Sequence, residues 1–306
     1  MDKNNKGKKV LITGCSSGFG LLTAVEAAKA GFQVIATMRN IAKANYLSDA
    51  LNQANVSAAI EPLDVTNHQS ITEVIAKHTP IDILVNNAGI LIMGSCLDIS
   101  EEEMRKVFET NYFGAVALTR AVLPDMVKNR SGLIINVASL AGRIGHLFNA
   151  AYSASKHALI GFSRSIRLEL KACNIKVVSV EPGYHKTEII RANANLAEKF
   201  YNRQSPMFQY NRGFLRLMMK KVIPRAAEAS TVAQKIVQIM QTTNPGNHYI
   251  IGKDAKIATT LQRLGLMRPL ENQIYKKLLT ATEHENQREK QKKAKRQKNK
   301  TVPKCP

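Results

Sequence analysis

Seven short apolar segments recur along the chain, and segments with helical spacing of apolar residues separate them. They are Lys9–Thr13, Phe32–Thr37, Ala58–Leu63, Ile81–Asn86, Gly132–Ser139, Ile175–Glu181 and His248–Ile251. Near-continuous apolar strands, rather than alternating ones, are typical of a parallel sheet covered by helices on both faces. We therefore predict an α/β fold with a doubly wound parallel sheet.

The chain has 306 residues, of which 44% are hydrophobic, enough for one sizeable α/β domain. Residues 184–226 are longer than a simple connection and rich in Met, Phe, Tyr and Arg, so we predict an insertion there. Residues 283–306 are rich in Lys and Gln and almost free of apolar side chains. We predict a single domain over residues 1–282, followed by a basic tail that is disordered or a solvated helix extension.

The formal net charge is +21, which favours anionic partners: phosphorylated cofactors, nucleic acid or acidic membranes. Residues 281–306 hold nine Lys and Arg and three Glu, so +15 of this charge belongs to the body of the chain. The tail has no aromatic residue for base stacking, which argues against nucleic acid. A solubilising tail, or one weakly attracted to anionic membranes, fits its composition better.

No apolar run approaches the ~20 residues needed to cross a bilayer. The apolar stretch after the basic start is too short for a signal peptide. We therefore expect a cytoplasmic protein whose contact with membranes, if any, is peripheral. The four Cys are scattered without a CxxC pair, so we expect neither a metal site nor a disulfide framework.

A glycine-containing loop, Thr13-Gly14-Cys15-Ser16-Ser17-Gly18-Phe19-Gly20, joins the first predicted strand to the first predicted helix. Glycines allow a tight turn and a close approach of the backbone to a pyrophosphate, and the helix N-terminus supplies N–H groups. An ordinary strand-to-helix turn is the alternative. The three spaced glycines between a strand and a helix favour nucleotide binding.

The second predicted strand ends in Ala36-Thr37-Met38-Arg39. An acidic residue in this region would bind the ribose 2′-hydroxyl of NAD(H). Arg39 instead suits a 2′-phosphate through its charge and its fork of donors. We therefore predict NADP(H) as the cofactor, although Arg39 could also be a solvated residue at a strand end.

Tyr152 and Lys156 lie four residues apart in a predicted helix, which places a phenol and an ammonium on one face. A phenol keeps its proton up to about pH 10, and a nearby positive charge lowers that pKa. We expect Lys156 to lower the pKa of Tyr152 in this way, so that Tyr152 can exchange a proton with an alcohol or a carbonyl. Alone, the pair could also be a core tyrosine beside a solvated lysine.

Taken in order along the chain, these motifs resemble the short-chain dehydrogenase/reductase family from about Lys9 to Pro269. The resemblance implies a single Rossmann-like domain with a substrate lid at residues 184–226. It rests on the loop Thr13–Gly20, Asp64-Val65, Asn86-Asn87-Ala88-Gly89, Asn111, Ser139, Tyr152 with Lys156, and Pro182-Gly183 with Thr187. The loop and Ala-Thr-Met-Arg look most like the NADP-using hydroxysteroid and retinol dehydrogenase branch. His185 departs from the aliphatic residue common at its position.

The resemblance also implies roles for these residues. Asn111, Ser139, Tyr152 and Lys156 would be catalytic: Tyr152 as acid or base, Ser139 as a donor to the substrate oxygen, and Asn111 as holder of a relay water. The implied cofactor contacts are Gly14, Ser16, Ser17, Gly18, Phe19, Gly20, Arg39, Asp64, Val65, Asn86, Asn87, Tyr152, Lys156, Pro182, Gly183 and Thr187. Ser139 could instead satisfy a strand end, and Asn111 could cap a helix.

The segment at residues 184–226 contains many aromatic and Met side chains: Phe200, Tyr201, Met207, Phe208, Tyr210, Phe214, Met218 and Met219. They suit a large apolar substrate such as a steroid, a retinoid or an acyl chain, or they simply pack the lid onto the core. We predict an oxidoreductase that interconverts a ketone or aldehyde and an alcohol on such a substrate. The alternatives are a non-catalytic NADP(H)-binding regulator and an interaction protein that works through its basic tail. Members of the family are often dimers or tetramers.

Overall fold

A parallel seven-stranded sheet forms the centre of the molecule in the computed structural model, which describes residues 7–187 and 194–300. Its strands are β1 (Lys9–Ile12), β2 (Gln33–Met38), β3 (Ala59–Pro62), β4 (Ile83–Asn86), β6 (Gly132–Val137), β7 (Ile175–Pro182) and β11 (His248–Ile251). Each coincides with one of the predicted apolar segments to within two residues at either end. The prediction of a doubly wound parallel sheet is confirmed.

Helices alternate with the strands. They are α1 (Gly18–Lys29), α2 (Ala44–Gln53), α3 (His68–His78), α4 (Glu101–Phe108), α5 (Gly114–Lys128), α6 (Ala150–Leu170), α7 (Phe208–Leu217), α8 (Ser230–Gln241), α9 (Lys253–Arg263) and α10 (Met267–Lys300). Two small parallel pairs lie outside the main sheet: β5 (Leu91–Met93) with β9 (Ala194–Leu196), and β8 (His185–Lys186) with β10 (Ala227–Glu228).

The core lies on both faces of the sheet because successive side chains of a strand point to opposite sides. In β1, Val10 and Ile12 pack with residues of α1, α2 and α8 on one face. Leu11, between them, packs with residues of α3, α5 and α6 on the other. All three β1 side chains are fully buried. Because both faces of the sheet are buried, the sequences of the strands are continuous apolar runs.

The order of strands across the sheet is β3-β2-β1-β4-β6-β7-β11. The chain therefore builds outward from β1 to β3, and then returns to the other side of β1 with β4. In sheets of this kind a crevice opens at the carboxyl ends of the strands on either side of the reversal. The loops after β1 and β4 meet there.

The C-terminal segment has the second of the two predicted forms. The structure continues α10 through Glu283 to Lys300 as an extension of the helix. Leu278 and Ala281 are buried, and Glu285 pairs with Arg212 and Arg216 of α7. These contacts with α7 hold the first part of the extension against the rest of the structure. Residues 301–306 lie outside the described residues.

In the described ranges, 7–187 and 194–300, no helix combines the length and the apolar character that crossing a membrane requires.

Candidate active site

A cleft of about 420 Å³ opens at the carboxyl edge of the sheet, where the strand order reverses. Its walls come from the loops that follow β1, β2, β3, β4, β6 and β7, and from the start of α6. The β1–α1 loop and Met218 of the segment 184–226 both line it. Below, the part of the cleft near Arg39 and Asp64 is called the loop end, and the part near Met218 is called the lid end.

The β1–α1 loop has the backbone that its glycines predict. Gly14 and Gly18 have φ angles of +73° and +57°, in the left-handed region that favours glycine. A Cβ added to Gly20 would lie 2.8 Å from the carbonyl carbon of Gly14, so this position has no room for a side chain. Ser17 precedes α1 but makes no capping bond with its side chain, which leaves the helix N-terminus open to an anion.

Three polar residues after β2 extend the cleft on one side: Arg39, Asn40 and Lys43. Arg39 was predicted from the sequence, whereas Asn40 and Lys43 were not. Asp64 and Val65, after β3, line the same end. The Asp64 carboxylate accepts hydrogen bonds from the backbone N–H and the hydroxyl of Thr66, at 2.9 and 2.7 Å. Two basic side chains at this end suit a phosphate group.

The two asparagines at the end of β4 have different positions. Asn86 is 4% exposed, and its amide donates to Asn136 Oδ1 at 2.8 Å and to Thr119 at 3.1 Å. Asn87 lines the cleft and donates to the carbonyl of Thr13 at 2.8 Å. Asn86 thus fixes β4 to β6 inside the sheet, while Asn87 ties the end of β4 to the glycine loop.

Ser139, Tyr152 and Lys156 meet in the middle of the cleft. The Ser139 hydroxyl lies close enough to the phenol of Tyr152 to lower its pKa, and it accepts a hydrogen bond from Ala141 N at 3.1 Å. One helical turn after Tyr152 in α6, Lys156 donates from Nζ to the carbonyl of Val137 at 2.9 Å. Its Nζ lies 5.8 Å from the centroid of the Tyr152 ring. Two hydroxyls and one ammonium therefore converge beside the glycine loop.

Burial dominates the electrostatics of this cluster. It raises the pKa of Tyr152 above its usual 10, and the Ser139 hydroxyl offsets only part of this effect. Burial also lowers the pKa of Lys156 to about 8. The expectation that Lys156 brings the pKa of Tyr152 below its ordinary value is therefore wrong for this cleft. The ammonium is bound to Val137, and the phenol is removed from water.

Asn111 lies behind the cleft wall in a π-helical turn, Glu109–Phe113, that joins α4 to α5. It is 1% exposed, its Oδ1 accepts from Ile90 N at 2.8 Å, and its Nδ2 donates to Ile90 O at 3.0 Å. A Cβ built on Gly89 would lie 3.2 Å from Asn111 Oδ1 and 3.6 Å from Lys156 Nζ. Asn111 and Lys156 therefore approach each other across Gly89. Single π-turns of this kind are frequent at functional sites.

The segment after β7 closes the cleft beside the glycine loop. Thr187 is so near that a Cβ on Gly18 would lie 3.6 Å from its Cβ. The Asp254 carboxylate, from the first turn of α9, accepts from the backbone N–H of Tyr184 at 2.8 Å. A Cβ on Gly183 would lie 2.5 Å from the carboxyl carbon of Asp254. Gly183 is thus required for this contact, and Asp254 is a positioning residue that no sequence motif indicated.

His185, the departure from the family pattern, is 2% exposed. Its Nδ1 lies 2.9 Å from the carbonyl of Gly183 and so carries the hydrogen of that bond. Its ring packs edge-on against Phe19, with centroids 5.6 Å apart. His185 therefore links the segment after β7 to the glycine loop.

Comparison with known proteins identifies the family. The model of the family described as short chain dehydrogenase matches residues 8–197. The chain belongs to the short-chain dehydrogenase family. It is 37% identical to the uncharacterized oxidoreductase YusZ of Bacillus subtilis over 279 residues. The matched region covers 89% of this chain and 99% of that protein. It is 37% identical to human retinol dehydrogenase 8 over 78% of this chain and 79% of that protein.

Solved structures of short-chain dehydrogenases share the fold. A short-chain dehydrogenase from Streptomyces avermitilis has a TM-score of 0.72 and 29% identity, covering 90% of this chain and all of that chain. A variant of actinorhodin polyketide ketoreductase, solved with NADPH, has a TM-score of 0.66 and 28% identity over 80% of this chain and 94% of that chain. The protein is thus an oxidoreductase of a family whose fold binds a nicotinamide cofactor.

Most of the predicted site residues of this dehydrogenase line its cleft. They are Gly14, Ser16, Ser17, Gly18, Phe19, Arg39, Asp64, Val65, Asn87, Ser139, Tyr152, Lys156, Pro182, Gly183 and Thr187. Gly20, Asn86 and Asn111 do not reach the cleft wall. Each of these three acts from behind it, Gly20 and Asn86 through packing and hydrogen bonds and Asn111 through its approach to Lys156.

The segment predicted to be a lid, residues 184–226, mostly packs against the body. Phe200, Phe208, Phe214 and Met218 are buried, whereas Tyr201 and Met219 are exposed. Of the predicted aromatic and Met side chains, Met218 lines the cleft, together with Leu91 and Met93 of β5. Residues 188–193 of the lid lie outside the described residues. Besides Asn40 and Lys43, sequence reasoning missed other polar residues of the cleft: Thr110, His146, Asn149, Tyr184 and Asn195.

Proposed function

We propose that this dehydrogenase uses NADP(H) to interconvert a ketone or aldehyde and an alcohol on a lipophilic substrate. The observation that carries the proposal is the convergence of Ser139, Tyr152 and Lys156 in the same cleft as the glycine loop. Two hydroxyls that meet at one point of a buried cleft can both contact the oxygen of a carbonyl. Such donors stabilise the negative charge that develops on that oxygen.

Tyr152 is the proton donor in the direction of reduction. Because burial raises its pKa, the phenol is protonated at neutral pH, as an acid catalyst must be. Ser139 donates a second hydrogen bond to the same oxygen and fixes its position. In the direction of oxidation Tyr152 must first lose its proton.

Lys156 and Asn111 support this proton transfer. The ammonium lies beneath the Tyr152 ring, where its charge favours release of the phenolic proton during the reaction. Asn111 holds the backbone at Ile90 by two hydrogen bonds and lies next to Lys156. We propose that a water between Asn111 and Lys156 returns the proton to Tyr152 from solvent.

The cleft fits a dinucleotide. The left-handed glycines and the open N-terminus of α1 suit a pyrophosphate, and Thr187 and Pro182 flank the central part. When bound, the nicotinamide supplies or accepts the hydride. Arg39 and Lys43 at the outer end support a 2′-phosphate and hence NADP(H), because a cationic fork and an ammonium there leave the ribose end positively charged. Lys156 would also bind the nicotinamide ribose.

A lipophilic substrate is supported by the lid end of the cleft. Leu91, Met93 and Met218 line it, and flexible Met side chains adapt to apolar ligands of varied shape. Retinol dehydrogenase 8 and the ketoacyl reductase HetN of Nostoc are among the similar proteins, and the latter is 38% identical over 182 residues. We propose a steroid, a retinoid or an acyl chain as the carrier of the reacting carbonyl.

The test is consumption of NADPH or NADH by the purified protein with a panel of lipophilic ketones, aldehydes and alcohols. We expect turnover with NADPH and at least one ketone. Tyr152→Phe should retain NADPH binding, measured by fluorescence titration, and lose turnover by at least about a hundredfold. An active Tyr152→Phe protein would overturn the acid–base assignment. Tight NADPH binding without turnover on any member of the panel would favour a non-catalytic regulator.

We also propose, from composition and family, that the protein works in the cytoplasm as a homo-oligomer and contacts anionic membranes peripherally. Size-exclusion chromatography with light scattering tests the oligomeric state. Flotation with vesicles of phosphatidylcholine alone, or mixed with phosphatidylserine, tests the contact with membranes. Binding that needs phosphatidylserine and weakens with salt is the expected result.

A further inference from the structure

Three polar side chains surround the lid side of Tyr152: His146, Asn149 and Tyr184. All three line the cleft, whose other residues near Met218 are Leu91 and Met93 of β5 and Asn195 of the adjoining β9. None of the three belongs to the Ser139–Tyr152–Lys156 cluster. An apolar pocket with a few convergent polar groups is the usual form of a site that orients a ligand.

His146 and Tyr184 form a stacked pair. Their ring centroids are 5.5 Å apart at an interplanar angle of 21°, and the Tyr184 hydroxyl lies 3.3 Å from His146 Nδ1. Burial lowers the pKa of His146 to about 4, so the imidazole is neutral at physiological pH. Burial also raises the pKa of Tyr184, so the phenol keeps its proton.

The pair therefore has two polar hydrogens, the N–H of the imidazole and the O–H of the phenol. One of them forms the hydrogen bond between the two side chains. If the phenol donates to Nδ1, the imidazole carries its hydrogen on Nε2. If Nδ1 donates to the phenol, the hydroxyl hydrogen of Tyr184 is unused. In either arrangement, one donor of the His146–Tyr184 pair is available to a ligand.

Asn149 supplies a hydrogen-bond acceptor. It is 5% exposed, and its Oδ1 has no hydrogen-bond partner in the described part of the chain. Buried side-chain oxygens nearly always have a partner, either in the protein or in a bound molecule. Asn149 lines the cleft, but its Oδ1 is shielded from solvent, so a bound molecule reaches the oxygen after a rotation about χ2 turns it toward the cleft.

These groups lie next to the reacting position. Asn149 precedes α6, and its backbone N–H donates to the carbonyl of His146 at 3.3 Å, which closes a turn between them. Tyr152 follows one helical turn later, so the side chains of Asn149 and Tyr152 are neighbours on one face. Tyr184 packs in the same apolar cluster as Tyr152.

We propose that His146, Tyr184 and Asn149 bind a hydroxyl group of the substrate, a few bonds away from the carbonyl that reacts at Tyr152. The donor of the His146–Tyr184 pair bonds the hydroxyl oxygen, and Asn149 Oδ1 accepts the hydroxyl hydrogen. A hydroxyl offers one donor together with acceptor lone pairs, whereas a ketone or ester oxygen can only accept and would leave Asn149 Oδ1 unpaired.

The substrate class is therefore a lipophilic hydroxyketone, or the corresponding diol in the reverse direction. This inference rests on the proposed function and narrows it. A site with buried polar groups discriminates strongly against an analogue that lacks the matching hydroxyl, because the protein groups then stay unpaired.

The test compares a long-chain methyl ketone with two derivatives that carry a hydroxyl on the first or the second carbon beyond the carbonyl. We expect kcat/KM of the unaltered protein to be at least about tenfold higher for one of the hydroxyketones. Asn149→Leu should reduce that preference about tenfold and change kcat/KM for the methyl ketone less than about threefold. Asn149→Asp retains acceptor oxygens and should retain the preference.

The donor is tested by the double variant His146→Phe with Tyr184→Phe, because each single variant leaves a donor in place. It should lose the preference as Asn149→Leu does. The control is Tyr210→Phe, since Tyr210 packs in the same apolar cluster but does not line the cleft. It should behave like the unaltered protein. Thermal unfolding of every variant shows whether it is folded.

Equal kcat/KM of the unaltered protein for the methyl ketone and both hydroxyketones would overturn the inference and leave the proposed function intact. An equal fall for all ketones in Asn149→Leu would also overturn it, because that pattern indicates a purely structural role. If a folded protein reduces no ketone with NADPH or NADH, the proposed function fails and this inference fails with it.

Discussion

Gly213 in the lid helix α7 packs directly against Thr282 in the C-terminal helix α10. A Cβ built on Gly213 would lie 2.8 Å from the Cα of Thr282, closer than such atoms approach in folded proteins. Next to this crossing, Leu278 packs with Phe214 and Met218. Since Met218 lines the cleft, α10 supports the wall of the substrate end from behind.

Substitution of Gly213 by Ala should separate the two helices. We expect a loss of roughly 1–3 kcal/mol of unfolding free energy, because an added methyl group in a close-packed crossing forces backbone movement. The control is Gly161→Ala in α6, where an added Cβ meets nothing within 4 Å. That variant should be more stable by about 0.5–1 kcal/mol, because Ala favours a helix interior over Gly. Chemical denaturation measures both, and an unchanged Gly213→Ala protein would contradict the crossing.

Replacing Glu285 and Glu289 with Gln should destabilise the lid. Arg212 pairs with both carboxylates and Arg216 pairs with Glu285, with every partner at most one-fifth exposed. Burial alone would raise the pKa of Glu285, but hydrogen bonds from Arg216 and Arg212 lower it. The carboxylate thus stabilises the fold above its ordinary pKa of 4.5, and this stabilisation is lost as the pH falls through the lowered pKa.

We expect the double variant to lose roughly 1–3 kcal/mol at neutral pH, because two partly buried guanidinium groups lose their partners. The matched control is Glu101→Gln, whose partner Arg105 forms an exposed pair on α4. It should change stability by no more than about 0.5 kcal/mol. Similar losses in the double variant and the control would show that the cluster between α7 and α10 has no special role.

Arg39→Ala should change the choice of cofactor. If the guanidinium binds a 2′-phosphate, its removal eliminates charge-assisted hydrogen bonds worth about 1.5–3 kcal/mol each. We expect kcat/KM for NADPH to fall by about tenfold to a hundredfold and kcat/KM for NADH to change little. The control is Arg120→Ala on the exposed side of α5. Equal losses with both cofactors would contradict the assignment of Arg39.

Lys156→Met should stabilise the protein at neutral pH while it removes activity. Burial lowers the pKa of Lys156 to about 8 from 10.5, so the folded state releases its proton before the unfolded state does. Below pH 8 the full cost of the buried charge, on the order of 3 kcal/mol, opposes folding. As the pH rises from 8 to 10.5 this cost disappears, and the contribution of Lys156 to stability becomes more favourable.

The measurement is the difference in unfolding free energy between the unaltered protein and Lys156→Met as a function of pH. We expect the difference to be largest at neutral pH and to shrink toward pH 10.5. Lys128→Met, at an exposed position of α5, should show no such dependence. A difference that is constant with pH would contradict the lowered pKa.

Local chemistry made much of this protein predictable from its sequence. Apolar runs such as Ile175–Glu181 can be strands buried on both faces, and the structure has β7 at Ile175–Pro182. The positive φ of Gly14 and Gly18 follows from the residue type and from the strand-to-helix turn in which they lie. Tyr152 and Lys156 share a helix face because their spacing in α6 requires it.

Contacts between residues distant in sequence were decided only by the tertiary structure. No sequence pattern connects Gly213 to Thr282, or Asp254 to the backbone of Tyr184. Composition left the residues after Glu283 either disordered or in a solvated helix extension, and it did not show the ion pairs with α7 that accompany the helix there. The pKa of Tyr152 rises instead of falling because burial, which depends on everything packed around the phenol, outweighs the effect of the Ser139 hydroxyl. Spacing along the chain sets which groups are neighbours on one element, whereas packing sets which groups lose water and which partners they gain.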